Sequence, residues 1–198
     1  MFDRNYSIVL QPATPHYWAF YPNYFSNDEC DRIIQAGLEI EALQSTIGST
    51  SFVTNTSIRQ GLVGFFDPTN SDTKWLFDRM QQLTLDMNRQ FWNFDITYLE
   101  CIQFSRYETP GDFYTHHMDM SYGQAEHRKI SISVQLSDAG DYQGSDLKLF
   151  RVGKEMDTAP RERGTVILFP SYHVHEVTPL ISGTRYSLVS WIVGPPLK

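Results

Sequence analysis

The spacing of apolar residues changes period near Phe94, and that change limits what the chain can fold into. Upstream, apolar residues recur three and four positions apart, the period of a helix with one buried face. Leu76, Met80, Leu83, Met87 and Phe91 form such a stripe and predict a helix over about 72–92. Ser26 followed by Glu29 is a capping box, and Ile33, Ile34 and Leu38 supply the apolar face of an earlier helix. Downstream the period falls to two. Stretches at 98–107, 129–137, 147–152, 165–170 and 185–193 alternate or are wholly apolar, with many β-branched and aromatic residues. Turn residues separate them: Pro110-Gly111, Asp138 to Asp141, Gly153, Gly164 and Ser182-Gly183. Two helices followed by many short strands predict a mainly β chain of the α+β class. Its core would be a double-stranded β-helix (jelly-roll) packed against N-terminal helices.

Residues 1–95 are read as helical and loop support, and 96–198 as the jelly-roll core, of one domain. Within the support, the first 25 residues, with Pro12, Pro15 and Pro22, read as an extended arm laid over the core. Residues 43–64, rich in Ser, Thr, Gly and Asn, read as loops and short strands.

Composition narrows the function classes. With 41% hydrophobic and 20% charged residues, the 198-residue chain fits neither a disordered tail nor a membrane protein. No apolar run approaches the roughly 20 residues of a transmembrane helix, and the first residues lack the pattern of a signal peptide. Cys30 and Cys101 make neither a disulfide framework nor a zinc set, so a reducing, cytoplasmic setting is expected. The net charge of -7 speaks against nucleic acid as a partner, because a phosphate backbone wants a basic stripe. It does not speak against one small anion held by one buried cation. The 13 Phe, 11 Tyr and 4 Trp suit a broad sheet-built core.

Four of the six histidines lie in two clusters. In an extended chain, residues two apart share a side, so His117 and Asp119 offer an imidazole and a carboxylate together. His116 faces away from them. A second cluster, His173-Val-His175, follows the apolar stretch at 165–170. One histidine from it would complete two His and one carboxylate. That set occupies one face of an octahedral metal and leaves the other open, the donor arrangement of non-haem Fe(II) oxygenases. Taken alone, His-x-Asp is a tripeptide that chance also produces. His16 and His127 have no partner pattern and are expected in solvent.

Arg185 opens the apolar stretch YSLVSWIVG, sharing a side of the pleat with Ser187, Val189 and Trp191. A guanidinium on an inner face is costly unless it meets an anion, and its planar fork suits both oxygens of a carboxylate. Ser187 could add a hydroxyl to the same carboxylate. The other reading puts Arg185 on the solvent side of an edge strand.

These residues stand in an ordered string. It begins Tyr107-x3-Gly111-x2-Tyr114-x2-His117-x-Asp119, continues through Arg128 and the run from Leu136 to Gly144, and ends Phe169-Pro-Ser-x3-His175-x3-Pro179-x3-Gly183-x-Arg185-x-Ser187, then Trp191. In this string, residues 98–194 resemble the 2-oxoglutarate/Fe(II)-dependent dioxygenase superfamily, in its prolyl-4-hydroxylase-like branch with the PKHD-type hydroxylases. The resemblance implies that His117, Asp119 and His175 ligate Fe(II) and that Arg185 binds the distal carboxylate of 2-oxoglutarate. It implies that Tyr107 lines the co-substrate pocket with Gln103 and Ser105 on the same face. It further implies that Gln135 hydrogen-bonds that carboxylate and that Trp191 walls the pocket near the metal, a plain core role for Trp191 being the alternative.

The activity implied is hydroxylation of an unactivated C–H, with O2 and 2-oxoglutarate consumed and ascorbate a candidate reductant. The implied substrate is a peptidyl proline or other protein residue, or else a free amino acid or small metabolite. A cupin-type metalloenzyme and a non-catalytic jelly-roll binding module are the rival classes. The chain departs from the family at Gly144-Ser-Asp-Leu147, where relatives usually have a second Gly and a Glu. That loop is expected near the mouth of the site.

Overall fold

The structure, a computed structural model, describes residues 16–45, 55–121, 124–151 and 156–196. Most of the extended arm predicted for the first 25 residues therefore lies outside the described residues, as do Gly153 and part of 43–64.

Strand β1 (Ala19–Tyr21) leads into helix α1 (Asn27–Leu38). The capping box is formed: the Ser26 hydroxyl accepts from Glu29 N at 3.2 Å, and Ser26 N donates to Glu29 Oε2 at 2.9 Å. The buried face differs from the predicted stripe. Cys30, Ile33 and Gly37 point inward while Leu38 is exposed. Gly37 has no room for more, because a Cβ there would sit 2.6 Å from the Phe104 ring. Close approach of the backbone to Phe104 sets the helix rotation and turns Leu38 away.

Strands β2 (Leu43–Gln44), β3 (Arg59–Gln60) and β4 (Leu62–Phe65) follow, then helix α2 (Lys74–Phe91). Leu76, Met80, Leu83 and Met87 are buried as the period required, and Phe91 packs at the edge of the core. The remaining strands are β5 (Tyr98–Tyr107), β6 (Phe113–His117), β7 (Arg128–Gln135), β8 (Tyr142–Gly144), β9 (Leu147–Leu149), β10 (Asp157–Thr158), β11 (Val166–Pro170), β12 (His175–Val177), β13 (Leu180–Gly183) and β14 (Arg185–Val193).

They build two main antiparallel sheets, the double layer of a jelly roll. The larger runs β1-β11-β7-β14-β5-β4-β2, the smaller β10-β9-β12-β6-β3, and β13 pairs with β8. Sheet membership does not begin at residue 96, since β1, β2, β3 and β4 all join the two main sheets. Gly61 lets the chain step from the smaller sheet to the larger, at a φ of 140° and with Arg106 O 3.1 Å from where a Cβ would be.

The two faces of the larger sheet differ in chemistry. The outer face carries Ile102, Phe104, Ile130, Ile132, Val134, Leu168, Leu188 and Ile192, packed with Ile33, Leu76, Met80 and Leu83 of the helices. Each such side chain contributes roughly 1.5–3 kcal/mol on burial. The inner face faces the smaller sheet. It alternates to Ser131, Ser133 and Gln135 on β7, to Gln103, Ser105 and Tyr107 on β5, and to Arg185, Ser187, Val189 and Trp191 on β14. Pleat parity therefore delivers a polar interior to a chain whose helices seal the other side.

Candidate metal centre

His117 ends β6 and His175 opens β12, and the two are direct partners across that ladder. Asp119 follows β6 by two residues, on the side that His117 faces. Nε2 of His117 lies 3.5 Å from Asp119 Oδ1, and Nε2 of His175 lies 3.5 Å from Asp119 Oδ2. The three donor atoms fall within 4.8 Å of one another, the spacing of groups able to share one metal ion.

Each imidazole is anchored through its other nitrogen. His117 Nδ1 contacts Thr115 O at 2.8 Å, and His175 Nδ1 contacts His173 O at 2.9 Å. A carbonyl only accepts, so Nδ1 carries the hydrogen in both rings and Nε2 keeps its lone pair. Tyr114 stacks on His117 with centroids 3.5 Å apart and planes at 16°, and the Arg59 guanidinium lies 4.6 Å over the Tyr114 ring.

Burial works to raise the Asp119 pKa, but His175, His117 and the Ser131 hydroxyl outweigh it and hold the carboxyl well below its usual range. For His175 burial dominates and pushes the ring down to about 4, against the attraction of Asp119. The cluster thus rests as a carboxylate beside a neutral His175, which is the protonation state a cation needs.

Deeper on the same inner face, Arg185 is 1% exposed. The solvent-side alternative for this residue is excluded. Its Nη2 donates to Gln135 Oε1 at 2.9 Å, while Nε and Nη1 are buried without a hydrogen-bond partner among the described residues. Gln135 in turn donates from Nε2 to Pro160 O at 2.9 Å, which fixes its amide with the oxygen toward Arg185. Tyr107 is the direct cross-strand partner of Arg185, with its ring 5.4 Å from the guanidinium. Ser187 lies between Gln135 and Ser105 in the next row. A buried guanidinium with two idle nitrogens fits a missing carboxylate, because burying that charge unpaired costs several kcal/mol.

Trp191 pairs across the ladder with Ser131, whose hydroxyl donates to Asp119 Oδ2 at 2.6 Å. Its register places it on the metal-facing side. Arg128 covers its ring at 3.8 Å, and Nε and Nη2 of Arg128 donate to the two oxygens of Glu100, both at 2.7 Å. The Trp191 indole N–H is buried without a hydrogen-bond partner among the described residues. The register with β5 shifts at Trp191 and that with β7 between Ile192 and Val193, a feature that often re-aims side chains near sites.

The remaining histidines stay outside the cluster. His116 is exposed beside Phe150, His173 contacts Tyr17 O at 2.8 Å, and His127 lies 3.4 Å from Glu126. His16 is exposed with its ring edge-on to Phe91. The sequence reading did not foresee Ser131, Ser171 or the Tyr114 stack. The serines at 131 and 133 alternating within an apolar strand were the available signal. The Gly144–Leu147 loop, expected near the mouth, leads away from the metal donors. Leu149 is level with His175, and β9 runs antiparallel to β12, so Leu147 pairs with Val177 and Asp146 N reaches Thr178 Oγ1, away from the metal donors. Asp146 binds Arg161 at 2.8 Å, a structural ion pair.

Comparison with known proteins bears on the same residues. The model of the 2OG-Fe(II) oxygenase superfamily matches residues 102–193. A PKHD-type hydroxylase of Synechococcus sp. (strain CC9605) is 35% identical over 82 residues, 41% of this chain and 37% of that protein. Another, from Synechococcus sp. (strain CC9902), is 37% identical over 84 residues, covering 41% and 36%. The match spans less than half the length of these curated relatives. Among solved structures, a Pseudomonas putida prolyl-4-hydroxylase superposes with a TM-score of 0.70 at 22% identity, covering 93% of this chain and 95% of that one. A prolyl hydroxylase from Trichoplax adhaerens, in complex with a hypoxia inducible factor oxygen degradation domain peptide fragment, gives 0.75 at 18% identity, covering 92% and 86%. These two speak to fold. The family's chemistry uses Fe(II), 2-oxoglutarate and O2, and the His-Asp-His set suits that metal. Residues 102–193 are thus similar in sequence to the 2OG-Fe(II) oxygenase superfamily and to PKHD-type hydroxylases, and the chain shares the fold of the solved prolyl hydroxylases.

Proposed function

We propose that this chain is a 2-oxoglutarate- and Fe(II)-dependent dioxygenase that hydroxylates an unactivated C–H bond. The observation that carries the reading is Arg185, a buried guanidinium with two nitrogens unpartnered among the described residues, on the sheet face that also bears Ser131, the residue bonded to Asp119. His117 and His175 would offer Nε2 to the metal and Asp119 one carboxylate oxygen. Arg185 would grip the distal carboxylate of 2-oxoglutarate, with Ser187, Gln135 and Tyr107 around it, and Trp191 would wall the pocket near the metal. Bound there, Fe(II) with 2-oxoglutarate and O2 supplies the oxidation of C–H to C–OH, the co-substrate leaving as succinate and CO2. The chain's own work is to bind, orient and exclude water. Leu149, Ile167 and Phe169, each at most 2% exposed, line the space between the sheets. No side chain need act as general acid or base.

The substrate we propose is a peptidyl proline or another protein residue, supported by the prolyl hydroxylases among the fold's neighbours. A free amino acid or small metabolite is the alternative under the same chemistry. A non-catalytic jelly-roll binding module is the rival of another class, and it would release no succinate with any substrate. The same reading treats residues 1–198 as one domain, takes ascorbate as a reductant, and places the protein in the cytoplasm. Two free cysteines support the reducing compartment, and among the described residues no helix is long and apolar enough to cross a membrane.

The test is anaerobic addition of Fe(II) and then 2-oxoglutarate. A visible charge-transfer band is expected, and its absence from the intact protein would overturn the reading. A band unchanged in His117→Ala or Asp119→Ala would overturn the ligand set. Succinate release with proline-containing peptides, against free amino acids, then separates the two substrate classes.

A further inference from the structure

Ser171, which follows β11, holds Asp119 from two directions. Its carbonyl accepts from Asp119 N at 3.0 Å and from Met120 N at 2.9 Å. Its hydroxyl lies 3.0 Å from that of Ser131, and Ser131 Oγ lies 2.6 Å from Asp119 Oδ2. Hydrogen counting sets the direction of this chain. An ionised carboxylate only accepts, so the single hydrogen of Ser131 goes to Asp119. Ser171 must then donate to Ser131. Both serines are essentially inaccessible, at 0% and 1% exposure, so water cannot substitute for either bond. Ser171 N also donates to Lys129 O at 3.0 Å, which ties the arrangement to β7. One residue thereby links the backbone and carboxylate of Asp119 to the strand behind them, four residues ahead of His175.

We infer that the Ser171–Ser131 hydroxyl pair is a positioning device that keeps Asp119 a one-oxygen donor, an inference that rests on the metal reading above. The pair occupies Oδ2 with a short bond, and among the described residues Oδ1 meets only the His117 ring. The count of positions makes this matter. An octahedral ion with three protein donors and a two-point co-substrate has one place left for O2. A carboxylate free to turn both oxygens onto the metal would take that place. Ser171 strengthens the restraint, because a hydroxyl that accepts a hydrogen bond donates a better one.

The test uses Co(II) as the probe, titrated into the full chain without co-substrate. Ser131→Ala is expected to weaken Co(II) binding roughly 10–100-fold, the usual cost of losing a partner that orients a ligand. Its visible Co(II) spectrum should change in intensity, reporting altered coordination. Ser131→Thr, which keeps the hydroxyl, should restore both. Ser171→Ala should move both in the same direction by less, and it decides the matter if Ser131→Ala does not fold. Wild-type affinity and spectrum in Ser131→Ala and Ser171→Ala would overturn the positioning role and leave the metal site standing. A wild type that binds no divalent cation would overturn the metal reading itself.

Discussion

Arg185 gives Nη2 to the Oε1 of Gln135 at 2.9 Å, and its other two guanidinium nitrogens, buried, find no hydrogen-bond partner among the described residues. Gln135 is a neutral partner, so it orients the cation without neutralising it.

Replacing Arg185 by Met is therefore expected to leave the metal-free protein as stable as wild type within about 1 kcal/mol, since an uncompensated buried charge leaves with it. The loss should show only with ligand. Wild type loaded with metal and 2-oxoglutarate at about 100 times its Kd gains about 2.7 kcal/mol. In Arg185→Met that gain should vanish, as read by thermal unfolding with and without co-substrate.

Tyr114 lies flat on His117 at a centroid distance of 3.5 Å and limits the ring to one orientation. Aromatic pairs contribute about 0.5–1.5 kcal/mol beyond area burial. Tyr114→Leu is expected to weaken divalent-metal binding by roughly 3- to 10-fold, while Tyr114→Phe retains it. Isothermal titration with Mn(II) measures both.

The His175 ring, buried beside Asp119, titrates at about 4 in the fold against 6.5 for an ordinary histidine. Between those values the unfolded chain binds the extra proton, so stability falls as pH drops below 6.5 toward 4. Metal-free wild type should lose on the order of 2 kcal/mol on this account between pH 8 and pH 4.5, and His175→Gln should lack that increment. Urea unfolding of both proteins at the two pH values checks it.

Ser145 sits at φ 51°, a left-handed conformation that costs a non-glycine residue roughly 1–2 kcal/mol. Its hydroxyl is also buried without a hydrogen-bond partner among the described residues. Ser145→Gly should raise the melting temperature, by about 1 kcal/mol in stability, without altering metal affinity. Gly144→Ala should do the reverse, because its Cβ would meet Pro179 O at 2.2 Å.

Much of this was legible in the chain. The capping box at Ser26, the α2 stripe and the strands from Tyr98 and Arg185 follow from local periodicity, and helix and strand periods are properties of neighbours in sequence. Parity alone separated His117 from His116. The short strands β6 and β12 carried too few residues for a period, yet they hold the two imidazoles. Leu38 defeated the stripe because the fit of Gly37 against Phe104 outweighed it.

The sequence by itself determined which donors exist, their parity along each strand, and that Arg185 shares a face with Ser187 and Trp191. Tertiary structure alone decided that His117 faces His175 across a ladder, and that Arg185, 50 residues from Gln135, is buried with one bond instead of three. It also decided that Ser171, 40 residues from Ser131, closes on Asp119. Cross-strand contact depends on register between distant segments. Register is set by the packing of whole sheet faces, which no local spacing records.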